Sequence, residues 1–259
     1  MESNPVLEIL FNRKSIRAYS EQEVPEETLR TIVRAGQRAP FAYQLCSVLL
    51  SRHREKHPFR APLLFTICVD SHRFELIMER RGWKLAQNDL SLLFFGIQDA
   101  AYLAENMVIA AESLGLGSCF LGFTPYKADS IRAEYHLPPR VFPLVELAMG
   151  YPAQNPPVRP RYPLEFSLFE DQYPEFSEEQ IRQAMQVMDE GYLAQDYYKK
   201  ANYMIPLEEG KTETYHFENY SWTEHISRKV GQWLRSHEEL IEQLEKCGFD
   251  LSLVKPGQG

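Results

Sequence analysis

Apolar positions along the chain follow two different periods. Residues 25–35 carry Leu29, Ile32 and Val33 on one face, behind a proline and the acids Glu26 and Glu27. That pattern predicts an amphipathic helix with Gly36 as its stop. Residues 6–11 read as a shorter amphipathic helix. Continuous apolar runs of strand length follow at 45–51 and at 63–69, the second entered through Pro62, and both predict strands buried on two faces. From 98 to 114 polar residues fall seven apart, at Gln98/Asp99, Glu105/Asn106 and Glu112/Ser113. A stripe so narrow predicts an almost wholly buried helix. Its small residues, among them Ala100, Ala104 and Ala111, would admit a close neighbour, either at the domain centre or at a subunit interface.

Gly115 closes that helix, 118–123 reads as a strand, 125–135 as a short helix and 142–151 as a further strand. Helices and strands alternate irregularly, which predicts an α+β fold rather than a doubly wound one. Beyond Tyr151 five prolines, from Pro152 to Pro163, make a stiff connector. Ser177 with Gln180 forms a capping box for a helix running on toward Lys200, and Ser236 with Glu239 forms another before Cys247 and Gly248. The expected organisation is a core over 1–165 and a helical C-terminal extension over 166–259. With Tyr197, Tyr198, Trp222 and Trp233, the extension suits an arm on a partner subunit or over a site, or equally a helical subdomain with its own core.

Charge narrows the partners. Twenty-eight basic and thirty-six acidic residues leave a net charge of −8, so the overall field repels nucleic acid and anionic lipid, and neither is expected as a partner. Any bound anion needs a local basic cluster. Residues 1–11 include Glu2 and Glu8 and lack the pattern of a signal peptide. The longest uncharged apolar stretches, 90–98 and 107–111, fall short of the roughly 20 residues of a membrane span. Cys46, Cys68, Cys119 and Cys247 form no CxxC pair and sit mostly in apolar runs, the usage of a reducing cytoplasm.

Two basic islands interrupt this acidic chain. In Arg13-Lys14-Ser15-Ile16-Arg17-Ala18-Tyr19 an extended backbone would direct Arg13, Ser15 and Arg17 to one side and Ile16 to the other. Forked guanidiniums and a hydroxyl can hold one phosphate, although a solvated basic turn has the same composition. Arg159 and Arg161 stand between prolines on a stiff loop, which suits an anion clamp or a solvated linker. Gly115-Leu116-Gly117 follows a helix and precedes a strand, the reverse of a dinucleotide fingerprint, and position 120 is Phe. His53 and His57 have a ligand-like spacing, but Arg52, Arg54 and Lys56 surround them and no acid or cysteine sits at a telling spacing, so a surface pair and no metal is expected.

The islands and the segments between them resemble the larger, NADPH-type branch of the nitroreductase family. The likeness rests on residues 13–19, Arg38-Ala39-Pro40, Gln44-Leu45-Cys46-Ser47, Asp99-Ala100, 110–117, Phe120-Leu121-Gly122, Gly150-Tyr151-Pro152-Ala153 and Arg159-Pro160-Arg161. It implies an α-β-α sandwich around a mainly antiparallel sheet, FMN as cofactor, NADPH or NADH as electron donor, and a small acceptor such as a nitro compound, a quinone or a flavin. It also implies a homodimer with FMN at the interface. Carried over by position, Arg13, Lys14, Ser15 and Arg17, with Arg159 and Arg161, would hold the phosphate and nearby polar groups. Pro40, Phe41, Ala42 and Gln44 would line the flavin, with the backbone of Leu121 and Gly122 at its reactive nitrogen. The chain departs from the pattern at Phe41-Ala42-Tyr43, where small hydroxyl residues and an asparagine are usual, and at Phe123, where a second glycine is common. Those bulky residues motivate an alternative, a non-catalytic FMN-binding or storage protein with a covered flavin.

Overall fold

The computed structural model describes residues 4–85, 88–232 and 237–251. The chain divides into two compact units, Met1–Pro156 together with Ser236–Gly259, and Pro157–Arg235. The units therefore do not follow the expected division at 165/166. The connector belongs mostly to the second unit, and the last helix returns to the first.

The first unit is built on one antiparallel sheet. Its strands, β1 (Cys46–Ser51), β2 (Leu63–Asp70), β3 (Gly117–Leu121) and β4 (Val141–Gly150), lie in the order β1-β2-β4-β3. β2 is buried along its whole length, as its unbroken apolar run predicts. β1 has an equally apolar sequence yet is half-buried throughout, because it is the sheet's edge and pairs only with β2. On one sheet face Phe65, Ile67 and Leu147 meet Leu29 and Ile32 of α2 (Glu26–Gly36) and Met107 and Val108 of α4 (Asp89–Ser113). α1 (Pro5–Asn12), capped by Asn4, packs along α4 but buries none of its own residues. α3 (His72–Arg80), for which no helix was expected, follows β2 directly.

α4 departs most from expectation. It begins nine residues earlier than 98, where the Asn88 side chain accepts the Ser91 amide hydrogen, and Gly96 lies inside it. A Cβ at Gly96 would sit 2.4 Å from Val69 Cγ1, so this glycine permits close packing rather than ending the helix. Nor is α4 almost wholly buried: Gln98, Glu105 and Ser113 of the polar stripe are exposed, but the stripe is not the whole solvent face. Asp99 is buried, whereas Phe94, Phe95, Ile97 and Tyr102 are exposed. At 25 residues, α4 is the one described helix long and apolar enough to cross a membrane by composition, but much of it is buried in this unit. Gly36 is the expected stop. It ends α2 where a Cβ would lie 2.6 Å from Met107 Cγ, letting α2 and α4 approach.

After β3 a 3-10 turn at Thr124–Lys127 leads into α5 (Ala128–Glu134), so the expected helix over 125–135 is two short pieces. α9 (His237–Lys246) returns to this unit, with Leu244, Cys247 and Phe249 packed on Val69, Leu93 and Phe142. Ser236, the cap expected for that helix, and Trp233 lie outside the described residues.

The second unit is helical and aromatic. α6 (Glu178–Leu193) has the predicted capping box of Ser177 and Gln180. It stops before Lys200, because Asp196 turns left-handed at φ 51° and α7 (Tyr197–Ala201) starts afresh. α8 (Trp222–Gly231) is tied to α6 where Asp189 accepts the Thr223 amide hydrogen at 2.9 Å and its carbonyl accepts the Ser221 hydroxyl at 2.9 Å. Arg228 is buried here, forked onto Glu213 at 2.6 and 2.7 Å, with Nε donating to Glu224 at 2.6 Å.

Candidate functional site

Asn12 ends α1, and the chain then runs extended along the sheet's β3 side. Ser15 bridges Ser118 in parallel and the Ile16 amide donates to the Ser118 carbonyl at 2.8 Å. Further on, Ala153 N donates to Ala18 O and Ser20 N to Tyr151 O, both at 2.9 Å. Ile16 is buried against Gly117, where a Cβ would come within 2.4 Å of its side chain. Tyr19 locks the segment from below, its hydroxyl donating to the Ile16 and Ala148 carbonyls at 2.8 and 3.2 Å. Burial raises that hydroxyl above the ordinary phenol range, so it remains a donor.

The basic row is thus held rigidly by its backbone. Lys14 Nζ donates to Asn155 Oδ1 at 2.5 Å, Ser15 is half-buried and Arg17 is exposed. Arg13 is half-buried, and its Nη1 is shielded from solvent with no hydrogen-bond partner among the described residues. Glu112 Oε1, on the last turn of α4, is buried in the same unpartnered way. Burial pushes the Glu112 carboxyl up while the Arg13 charge pulls it down. A shielded guanidinium nitrogen without an acceptor is costly, and an anion at the row would remove that cost.

The second part of the site is the loop between α2 and β1. Asp99 gathers it, Oδ1 accepting the Ala42 amide at 2.6 Å and Oδ2 the Tyr43 and Leu45 amides at 3.2 and 2.9 Å. Gln44 adopts φ 56°, the turn through which these amides converge on one carboxylate. Asp99 stood out in the sequence as a member of a polar stripe and of the family likeness, and neither revealed its structural task. Pro40, Phe41, Ala42 and Gln44 are exposed, while the Tyr43 ring packs edge-on against Phe95 at 5.2 Å. Pro40, Phe41 and Gln44 border a cavity of about 690 Å³ that also reaches Arg34, Arg38 and Arg73. Cys46 lines it too, its thiol pushed up to about 11 by burial and then by Asp99, so it is no thiolate at neutral pH.

Leu121 ends β3 and packs partly on Ile16 and Tyr19. A Cβ built on Gly122 would meet no protein atom within 4 Å, so the chain's own packing does not require glycine there. The row and the loop do not meet within one chain. Glu112 beside the row and Asp99 beneath the loop are thirteen helical residues apart, about 20 Å at 1.5 Å per residue.

Arg159 and Arg161 belong to the second unit. The Arg159 guanidinium lies 4.1 Å from the Tyr197 ring centre and donates to Gln195 Oε1, and Arg161 is exposed, donating to the carbonyls of Arg159 and Pro160. His53 and His57 are not the expected surface pair. His57 is buried, its Nδ1 2.8 Å from the Ala61 carbonyl and its Nε2 2.7 Å from Ser51 Oγ, bracing the loop before β2. Among the described residues no cluster of His, Cys, Asp and Glu could hold a metal ion.

Comparison with known proteins agrees with this architecture. The sequence pattern of the nitroreductase family matches residues 10–57 and 48–151, and the chain belongs to that family. It is 27% identical over 260 residues to the oxygen-insensitive NADPH nitroreductase of Salmonella typhimurium, covering 95% of this chain and 98% of the relative. It is also 27% identical over 263 residues to the FMN reductase (NADPH) of Bacillus subtilis, covering 95% and 99%. Among solved structures, NfrA1 of B. megaterium superposes with a TM-score of 0.79 at 27% identity, over 95% of this chain and 99% of that one.

Proposed function

We propose that this protein is an FMN-dependent oxidoreductase that takes electrons from NADPH or NADH and passes them to a small acceptor, a nitro compound, quinone or flavin, in a ping-pong cycle. The observation that carries the reading is the shielded, unpartnered Nη1 of Arg13 within a rigid basic row, in an acidic chain of the nitroreductase family. When bound, FMN supplies the redox chemistry, taking hydride from the reduced nicotinamide and delivering electrons onward.

The protein's own residues bind and orient. Arg13, Lys14, Ser15 and Arg17 offer the phosphate two guanidiniums, an ammonium and a hydroxyl on a backbone fixed to β3. Pro40, Phe41, Ala42 and Gln44 present a loop that Asp99 prevents from shifting. Leu121 offers its main chain while its side chain packs inward, and Gly122 has no side chain to hold a flat ring away. The family likeness gives Arg159 and Arg161 a part in the same grip. The geometry of their own unit does not speak for it, since Arg159 is already stacked and hydrogen-bonded.

We further propose a homodimer with FMN at the interface. Row and loop lie at opposite parts of α4, and a second copy can bring its loop to the first copy's row. The four cysteines are free thiols, which supports a cytoplasmic location. The covered-flavin alternative gains nothing here, since the Tyr43 ring is spent on Phe95 and the relatives named above are reductases. An absorption spectrum taken under argon before and after NADPH or NADH tests the reading. Flavin bands that bleach are expected; no flavin binding even with added FMN would overturn it.

A further inference from the structure

The cavity beside the Asp99-held loop has a charge that flavin binding through the row leaves unexplained. It is bordered by three arginines, Arg34, Arg38 and Arg73, and by one carboxylate, Asp99. Asp99 is spent on three backbone amides. Arg73 is spent too, its Nε on Asp70 Oδ2 at 2.8 Å and its Nη2 donating to the Cys46 carbonyl. Arg34 and Arg38 stand one turn apart, exposed, with no ion pair to an acid among the described residues, although the chain carries thirty-six acids. Gln37, Gln44 and Ser47 add neutral hydrogen-bonding groups on the same walls.

Two free guanidiniums over a cavity of about 690 Å³ form a site for a dianion. A bridging diphosphate is commonly held by amides at a helix N-terminus. Here the neighbouring helix end is the C-terminus of α2, whose carbonyls oppose an anion, so side-chain forks must do the holding. That favours a terminal phosphate monoester. The FMN phosphate has the Arg13 row, so the monoester left among the ligands of the proposed reaction is the 2′-phosphate of NADPH.

We infer that Arg34 and Arg38 bind the 2′-phosphate of NADPH in this cavity and set the preference for NADPH over NADH. The inference rests on the proposed reaction, which makes the dinucleotide a ligand. A simpler role for the two arginines is to offset the α2 carbonyls, which would affect stability and leave donor preference alone.

The test compares wild type with the double variant Arg34→Ala, Arg38→Ala, each loaded with FMN. The ratio of kcat/KM for NADPH to that for NADH should fall by about tenfold or more, and Arg34→Lys, Arg38→Lys should recover part of it. An unchanged ratio, including an equal loss with both donors, overturns the inference. Calorimetry with adenosine 2′,5′-bisphosphate against adenosine 5′-monophosphate needs no turnover. Wild type should prefer the bisphosphate and the double variant should not; equal binding of the two probes by wild type overturns the inference. A wild type that takes up FMN but is reduced by neither donor would sink the proposed reaction instead. If the double variant loses FMN but not riboflavin, the cavity holds the flavin phosphate and the inference fails.

Discussion

At the scale of single residues, two glycines that look alike in the sequence have different reasons to be glycine. At Gly117 a methyl would collide with Ile16, which is buried beneath the basic row. Gly117→Ala should cost about 1–3 kcal/mol through overpacking, read as a lower denaturation midpoint. At Gly122 a methyl meets no protein atom. Gly122→Ala should therefore leave stability within about 0.5 kcal/mol and still weaken FMN binding, measured by flavin fluorescence quenching. Equal FMN affinity in that variant would remove Gly122 from the flavin site. Arg13→Ala tests the other end of the ligand. It should weaken FMN at least tenfold, as expected for losing a charged phosphate contact of about 1.5–3 kcal/mol, and leave riboflavin binding nearly unchanged. A parallel loss of both would mean that Arg13 supports the fold rather than the phosphate. The row was legible because cations within a few residues of one another stand out in an acidic chain. Asp99 was not, since a carboxylate that caps amides fifty-odd residues away leaves no local pattern.

Elements were legible where one period dominated and obscure where tertiary context set the outcome. The amphipathic face of α2 and the buried run of β2 follow directly from residue order. The edge position of β1 and the early start of α4 do not, because both depend on what lies alongside. The same holds for the long C-terminal helix, which breaks at Asp196 so that Tyr198 can enter the aromatic cluster with Tyr220 and His225. That cluster surrounds Arg228, whose guanidinium faces the Tyr220 ring at 5.0 Å and forks onto Glu213. The Glu213 carboxyl is held down at about 2, chiefly by the Arg228 hydrogen bonds and then by the Tyr215 amide. A depressed folded-state value means that the carboxylate contributes stability above its unfolded value of about 4.3, and that this is lost as pH falls toward 2. The unfolding temperature of the second unit should thus decline between about pH 4.5 and 2. Glu213→Gln should flatten part of that decline. Parallel pH profiles for wild type and variant would show that the fork contributes nothing over this range.

Across the whole molecule, exposed apolar residues occur in both units, and one group of them falls on two helices that pack together. α1 buries none of its residues and exposes Val6, Leu7, Leu10 and Phe11, the last at 72%. α4, which it packs against, exposes Phe94, Phe95, Ile97 and Tyr102. An eight-residue helix is too short to persist on its own propensity, and aromatic rings on a central helix are not an ordinary solvent face. This explains why the sequence left α4 undecided between domain centre and interface: one side serves the sheet, and the proposed homodimer would cover the other. A second copy of the chain fits, because it would cover these residues and also place its Asp99-held loop near the row that one chain keeps about 20 Å away. Sedimentation equilibrium should therefore give twice the 30.2 kDa chain mass at micromolar concentration. Phe11→Asp with Phe94→Asp should shift the mass toward monomer and weaken FMN in parallel, although neither residue belongs to the row or the loop. A wild-type monomer that holds FMN tightly would sink the shared site, and a monomeric variant with unchanged FMN affinity would separate dimerisation from flavin binding.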